Sequence, residues 1–264
     1  MINGYDIKTV FSFFFRTGLR AKRTKLFFFF SFIPVIIFII IRIVGLVNPQ
    51  SNIPVTQLFS RITAGFYFQL FIQILVLFFG TSVLNDEIEN KTLVYLTTSP
   101  VSKASIVTGK FIGNFFITSI IFASGLLITY LISMGTNLFR LIYLKQLGTF
   151  LGVAILAILT YNALFTLLGA LLKRSILVGF FIIFGWERIV QFIPGTTQKL
   201  TISHYVNSML PFQFRGGRRN FLTGLLQPSS TLESIITLIF LTLILLSLAI
   251  FVFYKKEFTL SDQS

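Results

Sequence analysis

Cysteine is absent from the chain, which excludes disulfides and thiolate-bound metal and removes the usual clue to redox compartment. Histidine occurs once, as His204, with no Cys, Asp or Glu close by in sequence. An imidazole-based metal centre or proton relay therefore has no partners to recruit there, and an interfacial side chain is the plainer reading. Only 8 residues are acidic, against 22 Lys and Arg, and charged residues make up 11% of the chain. Soluble domains carry about 25%, so water is not the main solvent of this protein. A phosphate loop is also missing. The nearest approach, residues 104–111, has Gly109-Lys110 but Ala104 for the first glycine and Phe111 for the Ser or Thr. Without the glycine-rich turn and the Mg²⁺-binding hydroxyl, no nucleotide site belongs to this chain.

What is present in quantity is apolar surface: 55% hydrophobic residues, 34 of them Phe, and a mean hydropathy of +0.87. So many Phe side chains are tolerable only where they face lipid, and the chain reads as an integral membrane protein. A crossing helix needs about 20 mostly apolar residues. Six stretches qualify: Leu26–Val47, Ile62–Leu84, Phe111–Met134, Leu147–Leu172, Ser175–Ile193 and Leu232–Tyr254. The fifth is short and carries Glu187 and Arg188. The expected fold is all-α, a single polytopic membrane domain over 1–264 with six transmembrane helices. No internal repeat is visible.

The net charge of +14 does not describe a nucleic-acid surface, because the basic residues punctuate the apolar runs. With the N-terminus inside, Lys8, Arg16, Arg20, Lys22, Arg23, Lys25, Lys91, Lys103, Lys110, Lys173, Arg174, Lys255 and Lys256 fall on the cytoplasmic side. Arg61, Arg140, Lys145, Lys199, Arg215, Arg218 and Arg219 fall outside. The bias favours cytoplasmic termini in a cytoplasmic membrane. Ahead of the first span, which reads as a retained helix, Ile7, Val10, Phe11 and Phe14 share one helical face. Lys8, Ser12, Arg16, Arg20 and Arg23 share the other. Residues 1–25 are thus expected to form an amphipathic helix in the headgroup plane, basic side towards anionic lipid; a basic topogenic flank is the simpler alternative.

Outside, residues 194–231 form the longest loop. Ile202, Tyr205, Val206, Met209 and Leu210 recur at helical spacing, and Phe221, Leu222, Leu225 and Leu226 suggest a second short helix, with Pro211 and Gly216-Gly217 breaking the chain between them. Within the spans, Arg42, Glu187 and Arg188 are costly, at about 2.5–3.5 kcal/mol each at mid-bilayer. They mark either a polar patch on a substrate route, with Arg42 the long-range partner for Glu187, or snorkelling side chains anchored by Trp186. Gly109-x-x-x-Gly113 and Gly148-x-x-x-Gly152 could admit close helix approach.

The most informative segment is the loop over 85–110. Asp86, Glu87 and Glu89 cluster after the second span and are expected to open a short helix at its favourable dipole end. Leu93, Tyr95 and Leu96 give that helix an apolar strip, Ser99-Pro100 stops it, and Ser102 caps the next. The segment Glu87, Glu89, Thr92-Leu93, Leu96, Pro100-Val101-Ser102-Lys103, Ile106-Val107 and Gly109-Lys110 resembles the loop after the second span in permease subunits of type-2 ABC exporters. That family often has Gly where Lys91 stands. The close motif covers about a tenth of the chain, and the six spans, the N-terminal helix and the broken outer loop agree with it. The resemblance implies that the loop is a cytoplasmic coupling helix, with Glu87, Glu89, Thr92, Leu93, Leu96, Pro100, Val101 and Lys103 seated on an ATP-binding partner. It implies two copies of that ATPase subunit, a second permease copy or paralogue, and ATP and Mg²⁺ held on the partner, with no cofactor in this chain. Two alternatives carry different signatures. A membrane-embedded lipid-modifying enzyme wants acids, bases or metal ligands gathered together, whereas Glu187, His204 and Glu233 are widely spaced. A passive channel or scaffold predicts activity without nucleotide. Cargo is not legible; Arg215, Arg218 and Arg219 hint at anionic headgroups or cargo.

Overall fold

The computed structural model describes residues 4–47, 55–89, 102–135, 138–191, 193, 196–211 and 228–255. Those residues are helical or connecting, with no strand among them. Helix α1 is Gly4–Arg20, α2 Lys22–Phe30, α3 Ile33–Val47 and α4 Val55–Ile62. A π-helical segment, Thr63–Phe71, leads into α5, Ile72–Glu89. Then come α6, Lys103–Met134, and α7, Leu141–Leu171. A broken helix follows as α8, Ser175–Phe181, a π-helical segment Ile182–Trp186, and α9, Glu187–Gln191. The 3₁₀ turn Thr196–Leu200 leads to α10, Ile202–Met209, and the chain closes with α11, Thr231–Lys255.

Five helices among the described residues are long and apolar enough to cross a membrane: Lys22–Val44, Gln57–Val83, Lys103–Met134, Leu141–Leu171 and Thr231–Lys255. Five of the six expected spans therefore stand, with α6 starting earlier than expected. Of the expected fifth span, Ser175–Ile193, the continuous helix among the described residues covers Ser175–Gln191 and is not among these five. Its pieces hold 7, 5 and 5 residues, giving about 25 Å of rise against a hydrocarbon core of about 30 Å.

The helical pattern of the first span is interrupted by a turn at Ser31-Phe32, and the cause is local: Pro34 has no N–H to offer the Phe30 carbonyl. The interruption takes the Ser31 carbonyl away from helical pairing, and the Tyr67 hydroxyl donates to it at 2.8 Å. Tyr67 also shares a 2.8 Å hydrogen bond with Thr129 Oγ1. Gly125 makes the approach possible, since a Cβ there would lie 2.7 Å from both Cβ and O of Ser31. The core behind this joint is aromatic: Tyr67, Phe68, Phe122, Phe59 and Phe150 meet mostly edge to face, the arrangement ring quadrupoles favour.

The apolar side of α1 does not depend on lipid alone. A Cβ at Gly109 of α6 would meet Val10 Cγ1 at 2.8 Å and the Ile7 carbonyl at 3.1 Å, and one at Gly113 would rest 3.6 Å from Phe14 Cβ. Phe11 meets Phe116 edge to face. The Gly109-x-x-x-Gly113 stripe thus receives α1 of the same chain, while Gly148 and Gly152 face open space. Arg23, expected on the basic face of this helix, belongs to α2 instead and lies over the Phe79 ring at 5.2 Å.

Candidate functional site

The ends of the long helices gather into two faces. At one, Val83 of α5, Val107 of α6, Ala170 of α7 and Phe253 of α11 form a buried apolar cluster, and Lys103 Nζ lies 5.9 Å from the Tyr254 ring. The acidic loop leaves and re-enters the bundle here. Its expected anatomy needs one correction. Asp86, Glu87 and Glu89 continue the second span as the last residues of α5 and do not open a separate helix, so the dipole reason for clustering them at a helix start does not hold. The expected cap at Ser102 is present: its Oγ accepts from the Ser105 N–H at 3.2 Å and starts α6. Thr92, Leu93, Leu96, Pro100 and Val101 lie outside the described residues.

Lys110 stands one turn beyond Val107 and is 3% exposed. Its Nζ donates to the Val83 carbonyl at 2.9 Å, and the Phe14 ring of α1 covers it with its centroid 4.4 Å away. An ammonium and a ring face attract through the ring quadrupole, so one cation joins α1, α5 and α6.

Deeper in the bundle lies a polar network that the sequence marked only in part. Glu187 is 2% exposed. Its carboxylate accepts from the backbone N–H groups of Ile202 and Ser203, each at 3.0 Å, and from the Tyr161 hydroxyl at 3.1 Å. Gln73 Nε2 donates in turn to the Tyr161 oxygen at 3.0 Å. The side-chain oxygens therefore sit at the N-terminus of α10, where the first N–H groups lack intrahelical acceptors. At 1.5 Å per residue, Tyr161 lies about 15 Å from the Leu171 end of its helix and about 30 Å from the Leu141 end. Glu187 lies about 18 Å along the helix from Ser175 by the same measure.

Both π-helical segments feed this network. Gln73 follows Thr63–Phe71 and Glu187 follows Ile182–Trp186. The wider turn re-registers what comes after it; Ile72 N–H reaches back five residues to Tyr67, and Glu187 N–H to Ile182. Such turns recur at functional sites.

Arg42 and Glu187 are not partners, contrary to the pairing expected from sequence. Arg42 donates to the Ile132 and Ser133 carbonyls at 3.2 and 3.0 Å, capping the C-terminal end of α6 where carbonyls lack intrahelical donors and the dipole is negative. Gly135 closes that cap at φ +52°, and a Cβ there would overlap the guanidinium. Arg188 turns away from its neighbour and donates to Gln69, to the side-chain oxygen at 3.2 Å and to the backbone carbonyl. Trp186, next to the buried Glu187, is itself exposed. Sequence reasoning missed Gln69, Gln73 and Tyr161; two amides four residues apart in an otherwise apolar run were the available signal.

At the opposite face, Ile202, Tyr205, Val206, Met209 and Leu210 are all buried in the main core, so the short helix α10 is wedged into the bundle. Thr201 Oγ1 caps it by accepting from His204 N–H at 3.3 Å. His204 shares a 3.1 Å hydrogen bond with Ser229; burial, and then the nearby Lys199, push its pKa below the usual value while Glu233 opposes them. Lys199 and Glu233 themselves form a half-exposed ion pair at 3.2 Å. Phe221, Leu222, Leu225 and Leu226, expected to form a second short helix, lie outside the described residues.

A search among characterised proteins finds no match to the chain. The family model described as ABC-2 family transporter protein matches residues 8–258. It spans all five long helices, the loop roots around Val83 and Lys110, and the network around Glu187. The protein belongs to the ABC-2 transporter family and is a multi-pass membrane protein of that family's transport component.

Proposed function

We propose that the chain is the permease subunit of an ATP-driven exporter in the cytoplasmic membrane, with both termini inside and ATP hydrolysed on a separate ATP-binding subunit. The observation that supports this most directly is the convergence of Val83, Val107, Ala170 and Phe253. The two roots of the acidic loop are joined to the ends of two further spans, α7 and α11, so a force on the loop reaches four of the five long helices. Lys103, Lys110, Lys173, Arg174 and Lys255 belong to the same end of the helices, in keeping with a cytoplasmic face.

In this reading Glu87, Glu89, Thr92, Leu93, Leu96, Pro100, Val101 and Lys103 seat the ATPase. Two permeases, identical or paralogous, face each other with two ATPase copies below, since one small bundle has little room for a conduit. Ser175–Gln191 acts as a sixth, incomplete crossing, completed through the other half of the bilayer by the wedge of α10. The N-terminal helix lies in the headgroup plane with Lys8, Arg16 and Arg20 towards anionic lipid. The test is co-purification with the ATP-binding subunit. Replacing both Glu87 and Glu89 by Lys abolishes it while leaving membrane insertion intact; undiminished co-purification of that variant refutes the proposal.

A further inference from the structure

Lys110 lies outside the surface proposed to touch the ATPase, yet its surroundings resemble a built joint more than a solvated lysine. The ammonium is inside the protein at 3% exposure. It reaches the backbone of the helix that precedes the loop, through the Val83 carbonyl at 2.9 Å, although its own helix follows the loop. The bond spans 27 positions in sequence and therefore closes the loop at its base. Phe14 of α1 lies over the cation, and α1 is itself held on α6 by close packing at Gly109 and Gly113. Beside the bond, Val83 and Val107 pack in the same small cluster.

A loop whose roots are free to part bends when pushed, and the displacement is lost within it. A loop with pinned roots transmits the push to both helices at once. A charged donor on a buried carbonyl suits this purpose, because such bonds are directional and stronger than neutral ones. Apolar contact alone lets helices slide.

We propose that Lys110 is a positioning residue for energy coupling. It pins the exit of the second span to the entry of the third, under the cover of Phe14, so that the two move as one body when the ATPase pushes the loop. This rests on the ATP-driven reading above and adds to it the residue that makes the lever stiff. The absence of cysteine makes every introduced thiol unique, so spin labels can report the motion directly. Phe78 on α5, Ile120 on α6 and Leu243 on α11 are exposed positions suited to F78C, I120C and L243C.

In the complex with the ATP-binding subunit, the 78–120 distance stays constant between the nucleotide-free and vanadate-trapped states, while both labels move relative to residue 243. In K110M the complex still assembles and hydrolyses ATP, and the resting 78–120 distance is unchanged. Trapping now broadens that distribution at least twofold. K110R restores the rigid pair. F14A, which uncovers the ammonium without removing its bond, gives an intermediate broadening and serves if K110M fails to insert. A 78–120 pair that stays rigid in K110M, or a K110R variant as loose as K110M, overturns the proposal. Wild-type permease that binds no ATPase, or whose labels do not respond to nucleotide, overturns it together with the ATP-driven reading, and is distinguished by showing the fault before any substitution.

Discussion

Replacing Glu187 with Ala removes the acceptor for three buried donors: the N–H groups of Ile202 and Ser203 and the Tyr161 hydroxyl. Each buried donor left without a partner costs about 1–3 kcal/mol. Three would cost about 3–9 kcal/mol if nothing relaxed. Water entering the space left by the side chain recovers part of this, and Tyr161 can turn towards another acceptor, so about 3 kcal/mol is the expected loss at α10. The loss is local, because α10 is short and its first turn hangs on this carboxylate. By contrast, E187Q keeps one carbonyl oxygen and the side-chain shape but presents an N–H₂ where an N–H or O–H must donate; the expected cost is about 1–2 kcal/mol. Hydrogen exchange read by mass spectrometry on the peptide containing residues 202–209, in detergent or nanodiscs, measures the opening of this helix. A change of 3 kcal/mol corresponds to about 150-fold faster exchange, at about 1.4 kcal/mol per decade. Exchange at α6, which has no bond to Glu187, serves as the internal control. If the α10 peptide of E187A exchanges within about threefold of wild type, the carboxylate does not hold the helix and the network argument is wrong.

Other substitutions test the remaining joints. Gly109→Val places a side chain where Val10 and Ile7 already sit, so α1 lifts from α6 and trypsin cuts at Arg16 or Arg20 at least tenfold faster, by the usual conversion of about 1.4 kcal/mol; unchanged cleavage would contradict the packing. Arg42→Met strips the C-terminal end of α6 of its cap, lowering stability by about 1–2 kcal/mol in denaturant unfolding, whereas Gly135→Ala costs at least as much through its positive φ and the overlap with Arg42. His204 supplies a pH dependence with a definite sign. Its folded pKa is below 6.5, so the unfolded chain takes up a proton first as pH falls. Stability is complete above the unfolded value and declines below it, towards the folded value. Wild type should therefore lose more stability than H204N between about pH 7.5 and about pH 5.5, and equal losses would remove His204 as the cause.

Some of this architecture could be read along the chain and some could not. Apolar runs of span length are a one-dimensional signal, which is why the helices around Phe38, Leu75, Phe122, Ile158 and Leu238 were foreseeable. The Ser102 cap was legible for a similar reason, since donor and acceptor are three residues apart. The same logic failed for Asp86, Glu87 and Glu89: a helix start and a helix continuation both tolerate carboxylates in the first turn outside lipid, and composition does not choose between them. Of the two readings of Arg42, the pairing with Glu187 does not hold, because an intramembrane guanidinium is satisfied by any free carbonyl, and helix ends supply those without a sequence mark. The Glu187 network was half visible. Its charge stands out, but Tyr161 is an ordinary polar residue of a long apolar helix, Gln73 takes its register from the π-helical turn before it, and nothing in the residue types of Thr63–Phe71 announces a wider turn. The glycine stripe at 109–113 promises close helix approach without naming the helix; the structure brings α1 of the same chain onto it.

If Ser175–Gln191 is the incomplete sixth crossing proposed above, its buried carboxylate bears on biogenesis. Its buried carboxylate is satisfied by one group synthesised before it, Tyr161, and by two amides that emerge fifteen and sixteen residues later. During synthesis there is thus an interval in which this short apolar segment carries a carboxylate still short of two of its three donors. Only when α10 has emerged and wedged against α7 can the segment partition into lipid as part of a finished unit. On this reading Ser175–Gln191 and α10 are expected to insert together, since neither satisfies the carboxylate alone.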